Sequence, residues 1–365
     1  MILRKYKVAI IGCGRIAGHN CRAVVNTNGL ELVAVCDLEL GKANTYRDEF
    51  GCIAFSNYHT MLTEINDIDI VAIITPSGMH FEHSMDILQR YNKHIIVEKP
   101  TFMKPSQLEK AYNAADELGL KIFPVFQNRY NRAVQRVKTA LEKQELGDIR
   151  IIGVRVRWCR PQRYYDMAPW RGTYSHDGGA LTNQGIHHVD LLRYLGGEVQ
   201  QVNATMRTLG VEVEVEDAIV SSFTYADEAI GSLEITTAAR PDDFEASISI
   251  VGSKGLVQIG GIAVNELQIF TPDPDACNNY SEDFSDCVYG NGHELLYQDI
   301  YNSLNSGIKY PVSKKDCLQS IKLLHAFYRS DEQAGWQKVN EEGESSRLGR
   351  ENNVVSKLYR TAIDG

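Results

Sequence analysis

Apolar residues recur in two rhythms along the chain, and the change from one to the other marks its organisation. From Tyr6 to Phe126, short β-branched runs occur at 6–11 (YKVAII), 30–36 (LELVAVC), 69–74 (IDIVAI), 94–98 (HIIVE) and 121–126 (KIFPVF), each separated by room for a crossover helix. That alternation predicts a parallel, doubly wound sheet. The stretch from Lys104 to Leu118 shows the helical part: Pro105 suits a first turn, Leu108, Ala111, Ala115 and Leu118 recur at helical spacing, and Gly119 closes it.

After about residue 127 long alternating segments take over, at 149–159, 199–208, 213–225, 229–238, 245–251 and 254–270, with few helices between them. They predict a largely antiparallel sheet with one solvated or helix-covered face. The exception is a helix from about Asn183 to Leu195, stopped by Gly196-Gly197, and two more helices are expected near 292–306 and 313–331. From about Asn340 the chain carries Glu-Glu-Gly-Glu-Ser-Ser and little apolar content before a short amphipathic end, so it reads as a polar tail, disordered or packed on a neighbour. The expected divisions are 1–127, 128–339 and 340–365. The fold class is α/β: a doubly wound parallel sheet followed by an α+β domain with a large, mostly antiparallel open sheet.

With 365 residues, 43% of them hydrophobic, the chain can bury two cores. A formal charge of −9 argues against nucleic acid or an anionic membrane as the main partner and leaves room for a local basic cleft that takes a phosphorylated ligand. No apolar run reaches membrane-spanning length and the opening residues lead straight into a strand, so a cytoplasmic protein is expected. Eight cysteines, at 13, 21, 36, 52, 159, 277, 287 and 317, form no C-x-x-C pair. Free, partly buried thiols are expected, with neither a disulfide framework nor a metal site.

Against this frame, Gly12-Cys13-Gly14-Arg15-Ile16-Ala17-Gly18 follows the first strand and opens a helix. In G-x-G-x-x-G/A the first glycine permits the tight turn, the second lets backbone approach a pyrophosphate, and the small third residue lets helix meet strand. The phosphates would face the helix N-terminus near Arg15 and Ile16. A purely structural glycine turn is the bland alternative. Context favours the Rossmann-type dinucleotide site: Asp37 ends the second strand, 20 residues past Ala17, where a carboxylate accepts from a ribose and repels a 2′-phosphate, which selects NAD over NADP. Thr75-Pro76 and His80 follow the run at 69–74 and Glu98-Lys99-Pro100 ends the run at 94–98, at strand ends that border the nicotinamide half of the crevice. Gln127 completes the expected cofactor set. His80 and His83 have a competing reading as solvated residues of the next helix.

Hydride transfer from an alcohol carbon requires a base at the hydroxyl and a donor that steadies developing charge. His187 suits the first role and Lys99 the second, with the reverse assignment open. In Asn183-Gln184-Gly185-Ile186-His187-His188-Val189-Asp190, helical spacing stacks Asn183, His187 and Asp190 on one face, leaving Asp190 to orient the substrate or the imidazole. His188 lies about 100° round the helix and is set aside. Upstream, Trp158-Cys159-Arg160-Pro161-Gln162-Arg163-Tyr164-Tyr165-Asp166 and Trp170-Arg171-Gly172-Thr173-Tyr174 interleave arginines with aromatics. Such a set fits an anionic, ring-containing substrate, with Arg160 and Arg171 as the preferred anion ligands and Tyr164, Tyr165 and Trp170 stacking or hydrogen bonding. A surface loop or subunit contact is the alternative.

The G-x-G-x-x-A opening, E-K-P at 98–100 and N-x-x-x-H-x-x-D at 183–190 resemble the glucose–fructose oxidoreductase/inositol dehydrogenase/rhizopine catabolism (Gfo/Idh/MocA) family over roughly residues 5–335. Within it, R-P-Q-x-Y-Y-D at 160–166, W-R-G-T at 170–173, D-G-G-A at 177–180 and G-G-I-A-V-N-E at 260–266 look like the dehydrogenases of UDP-N-acetyl-2-amino-2-deoxyglucuronate (UDP-N-acetylglucosaminuronate). The resemblance implies oxidation of a sugar C3 hydroxyl in surface-polysaccharide precursor synthesis, a cis Lys99–Pro100 bond, and a homo-oligomer, dimer or tetramer, built on the large sheet. It also raises 2-oxoglutarate as a hydride acceptor. The family's usual aspartate at the first position of its motif is Asn183 here. Other readings are a dehydrogenase of another sugar, nucleotide sugar or cyclitol, and a non-enzymatic cofactor-sensing regulator, against which the retained Lys99 and His187 argue.

Overall fold

A computed structural model describes residues 4–284 and 290–362. The chain divides into two compact units: Met1–Val125 with His293–Leu318 and Glu351–Gly365, and Phe126–Gly292 with Gln319–Arg350.

The first unit is built on six parallel strands: β1 (Tyr6–Ile11), β2 (Leu30–Cys36), β3 (Ile53–Phe55), β4 (Ile70–Ile73), β5 (His94–Val97) and β6 (Ile122–Pro124). Their spatial order is β3-β2-β1-β4-β5-β6. Val8, Ile10, Val71, Ile73 and Ile95 are wholly buried, as expected of strands covered by helices on both faces. The strand order reverses between β1 and β4, which makes the loops after their carboxyl ends, at Gly12 and Thr75, the edges of the crevice. β3 escapes sequence reading because three residues, with Ile53 exposed, carry no periodic signal. The α-helix Pro105–Glu117 forms as expected, and Gly119 (φ +66°) turns left-handed to close it.

The second unit carries β7 (Ile149–Arg157), β8 (Val199–Arg207), β9 (Ala218–Tyr225), β10 (Ile230–Thr236), β11 (Glu245–Gly252), β12 (Leu256–Gly260), β13 (Glu266–Phe270) and the two-residue β14 (Gln337–Lys338). Their order is β13-β12-β11-β7-β10-β9-β8-β14, parallel between β7 and β10 and antiparallel elsewhere. Two boundaries differ from expectation. The segment 254–270 is two strands, broken where Gly261 (φ +85°) and Val264 (φ +52°) turn the chain. The segment 213–225 becomes a strand only at Ala218, because Asp217 is spent on the turn: its carboxylate accepts from Leu209 N–H (2.8 Å) and Gly210 N–H (2.6 Å).

The helix expected over Asn183–Leu195 is in fact two pieces, a π-helical turn Ala180–Gln184 and an α-helix Ile186–Gly196. Gly185 N–H reaches back to Ala180 O (2.8 Å), and Leu181 N–H is taken by Glu216 Oε1 (3.0 Å). Asn183 therefore stands outside the α-helical ladder that His187 and Asp190 share. The segment after 340, expected as a polar tail, is divided between the units. Ser345 and Leu348 are buried in the second, and in the first the α-helix Asn353–Lys357 is followed by an Arg360–Glu82 ion pair at 2.6 Å. Among the described residues Cys13, Cys21, Cys36, Cys52, Cys159, Cys277 and Cys317 are free thiols, and Cys287 lies outside those residues. No helix among them is long and apolar enough to cross a membrane.

Candidate active site

In the first unit the glycine loop follows β1. A Cβ on Gly12 (φ +97°) would lie 2.5 Å from Ile74 O, so only glycine makes this turn. Gly14 is different: a Cβ there would meet nothing within 4 Å, and the backbone stands open beside the α-helix Ala17–Asn26, whose first turn has no side-chain cap. Ala17 is fully buried where helix meets strand, Ile16 is half-buried and Arg15 is exposed. The Asp37 carboxylate accepts from Cys13 N–H (2.8 Å) and Glu39 N–H (2.9 Å), one oxygen each. A carboxylate oxygen has a second lone pair, which leaves acceptor capacity for a ribose hydroxyl. Open backbone at Gly14, a helix start without a side-chain cap and a half-buried acid fit a dinucleotide held by Gly12, Gly14, Arg15 and Asp37.

The strand-end loops are bound together by His80. Its ring nitrogens lie 2.9 Å from Thr75 O and 2.9 Å from Pro100 O, and burial lowers its pKa. His83, also buried, lies 3.0 Å from Thr75 Oγ1 and is pushed down to about 4 by desolvation. Neither is a solvated helix residue, because the α-helix His80–Tyr91 packs both inward. Pro76 precedes a single 3-10 turn, Ser77–Met79.

Glu98 is the hub of a buried network that sequence reading did not anticipate. Its Oε2 accepts from Lys99 N–H (3.1 Å) and its Oε1 from Asn20 Nδ2 (3.1 Å), with His293 Nε2 at 3.4 Å. Tyr297 in turn donates to Asn20 Oδ1 at 2.8 Å. Burial alone would raise the Glu98 pKa, but the His293 contact, the Lys99 charge and the Asn20 bond together hold it at about 2. Asn20, His293 and Tyr297 come from helices distant in sequence, and nothing local marks them. Lys99 is half-buried, and the Lys99–Pro100 bond is cis.

In the second unit His187 is 6% exposed, and its Nε2 lies 3.1 Å from the amide nitrogen of Gln127. Gln127, expected beside the cofactor, thus lies against the candidate base. Asp190 neither orients His187 nor stands ready for substrate. Arg129 takes both its oxygens, Nε to Oδ2 at 2.7 Å and Nη2 to Oδ1 at 2.6 Å, and Ser320 Oγ adds a bond at 3.2 Å. Asn183 donates to Asp177 Oδ1, and Asp177 Oδ2 accepts from Gly172 N–H at 2.7 Å, so a buried carboxylate sits beside Asn183 after all. His188 packs edge-on against Trp158, and burial lowers its pKa to about 4.

The aromatic–arginine loops divide sharply. Arg160 is already neutralised, its Nη1 2.7 Å from Asp243 Oδ1, which corrects its expected role as an anion ligand. Tyr165 is buried with its hydroxyl 3.1 Å from Thr237 Oγ1, and serves packing. Arg171 has no carboxylate partner among the described residues. Its guanidinium lies 4.5 Å from the Trp170 ring and 4.2 Å from the Tyr164 ring and donates to Tyr164 Oη, which also accepts from Gln184 Nε2 at 3.2 Å. Among the described residues no group of three His, Cys, Asp or Glu side chains is placed to hold a metal ion.

Residues 6–126 match the oxidoreductase family with an NAD-binding Rossmann fold, and residues 134–258 match the GFO/IDH/MocA C-terminal domain. The chain belongs to the Gfo/Idh/MocA oxidoreductase family. Its fold is similar to that of the WlbA dehydrogenase from Bordetella pertussis, solved with NADH and UDP-GlcNAcA: 35% identity, TM-score 0.87, 93% of this chain and 99% of that one covered. D-glucoside 3-dehydrogenase of Escherichia coli is 28% identical over 62% of this chain and 66% of its own length. Inositol 2-dehydrogenase of Salmonella typhimurium is 21% identical over 83% and 87%. This Gfo/Idh/MocA member is thus an NAD-dependent dehydrogenase of the sugar and cyclitol class, acting on a CH–OH group.

Proposed function

We propose that the chain oxidises the C3 hydroxyl of UDP-N-acetylglucosaminuronate to the 3-keto sugar. The observation that carries this reading is Arg171, a cation stacked on Trp170 and Tyr164 and left without a carboxylate partner among the described residues. Such a group suits a substrate with both a ring and an anionic group. The likeness to a dehydrogenase solved with UDP-GlcNAcA supports the same reading.

Gly12, Gly14, Arg15 and Asp37 would hold NAD, which would supply the acceptor for the hydride of the carbinol carbon. His187 accepts the hydroxyl proton, and the contact with Gln127 fixes its ring. Lys99 steadies the charge that develops on the oxygen, on a main chain anchored by Glu98. Asp190 serves by holding Arg129, and Asn183 by its bond to Asp177.

The test is a panel of UDP-N-acetylglucosaminuronate, UDP-N-acetylglucosamine, simple glucosides and inositols, each with NAD and with or without 2-oxoglutarate, followed by product mass. Turnover of the UDP-uronate alone supports the proposal. Preference for a glucoside or inositol, the substrates named for two of the relatives, would replace it with the second reading, a dehydrogenase of a free sugar or cyclitol.

A further inference from the structure

Residues 345–350 lie beyond both family matches, yet they close on the loop that carries Trp170 and Arg171. Gly349 N–H donates to Tyr174 O at 2.8 Å. Two guanidinium groups of this segment approach the Tyr174 ring, Arg347 at 5.5 Å and Arg350 at 5.7 Å from its centroid. Arg350 also pairs with Glu214, whose other oxygen accepts from Tyr174 N–H at 2.6 Å. Leu348 is wholly buried, and a Cβ on Gly178 would lie 2.8 Å from its side chain.

The segment is itself anchored. Arg347 is tied to Asp331 (2.7 Å) and Glu332 (3.2 Å), and Ser345 donates through N–H to His325 (2.9 Å) and through its hydroxyl to Glu332 (2.6 Å). On its far side the 170–178 loop is closed on itself. Thr173 O accepts from Asp177 N–H (3.0 Å) and Gly178 N–H (2.9 Å), and the Asp177 carboxylate joins Gly172 N–H to Asn183. Two cation–ring contacts on one ring, together with a backbone bond, favour one conformation of a short loop.

We infer that Arg347, Arg350 and Tyr174 are positioning residues for the sugar half of the site: the C-terminal segment is a strap that sets Trp170, Arg171 and Asn183. The inference rests on the proposed substrate role of Arg171 and needs no contact between the strap and the substrate. Remote misplacement of a binding loop costs roughly 10- to 100-fold in kcat/KM, which sets the scale of the expected effect.

The experiment uses the full chain with Arg350→Ala, Tyr174→Ala, Tyr174→Phe and Arg347→Ala, of which Arg347→Ala carries the greatest risk to folding because it frees Asp331 and Glu332. Hydrogen exchange is read by mass spectrometry, with NADH affinity and steady-state kinetics on the preferred sugar alongside. The strap predicts faster exchange over 170–178 in Arg350→Ala and Tyr174→Ala, a raised KM for the sugar, and unchanged NADH affinity. Tyr174→Phe, which keeps the ring, should restore both loop protection and KM. Unchanged exchange over 170–178 in Arg350→Ala and Tyr174→Ala overturns the strap, and so does faster exchange with an unaltered sugar KM. Failure of Tyr174→Phe to rescue overturns it too. The exchange arm needs no substrate, so an error in the sugar assignment leaves it intact and is recognised separately by the substrate panel.

Discussion

Arg129 grips Asp190 with two parallel charge-assisted bonds, at 2.7 and 2.6 Å, where the two side chains are only 6% and 1% exposed. Asp190→Asn removes the carboxylate charge that takes two bonds from a buried guanidinium, a change that costs about 3–5 kcal/mol. Urea unfolding of Asp190→Asn is expected to show a loss of that size. A variant with wild-type stability and lost turnover would return Asp190 to the substrate.

The two proposed catalytic groups are separable by pH. His187→Asn should lower kcat roughly 10²–10⁴-fold, with part of the loss recovered at higher pH as hydroxide replaces the missing base. Lys99→Met should lose rate without that recovery, because solvent base does not replace a fixed charge. The opposite pattern in pH–rate profiles assigns Lys99 as the base.

Asp37 holds Cys13 and Glu39 N–H groups and faces the expected ribose position. NAD(H) should bind at least tenfold more tightly than NADP(H), about 1.4 kcal/mol, and Asp37→Ser should narrow the gap. Equal affinities in calorimetry of the unaltered protein would remove Asp37 from this role.

Glu216 is buried beneath the π-helical turn, accepting from Leu181 N–H (3.0 Å) and Tyr328 Oη (2.8 Å), with Oε2 unpartnered. Desolvation raises its pKa to about 8 from an ordinary 4.5. The folded state therefore holds a proton that the unfolded chain releases. This group's contribution to stability declines as pH rises above about 4.5 and levels off above about 8, by a few kcal/mol at most. Glu216→Gln should gain thermal stability relative to the parent at pH 8.5 and show no such gain at pH 4.5. A difference between the two proteins that does not change with pH would reject the assignment.

Much of this was legible one segment at a time. β1 and β2 fall where YKVAII and LELVAVC place them, and the Gly12–Gly14 loop follows β1 as its spacing requires, because strand period and turn chemistry are local properties. The π-helical turn at Ala180–Gln184 was not legible. A helical repeat is an average, and here it yields to Glu216, a carboxylate brought in from before β9 to take one N–H out of the ladder. The network of Asn20, His293 and Tyr297 round Glu98 is hidden for the same reason: its members meet only after the chain has folded.

The sequence by itself determined the two architectures, the glycine loop with Asp37, the E-K-P strand end and the short helix bearing His187, since each is written in neighbouring residues. Only the tertiary structure decided which charges were already satisfied. Asp190 goes to Arg129 and Arg160 to Asp243, while Arg171 is left on its aromatic ledge and the residues after 340 become part of the loop's support. A buried charge takes the nearest counter-charge, and which one is nearest is set by loop closure and packing between segments that the chain keeps far apart.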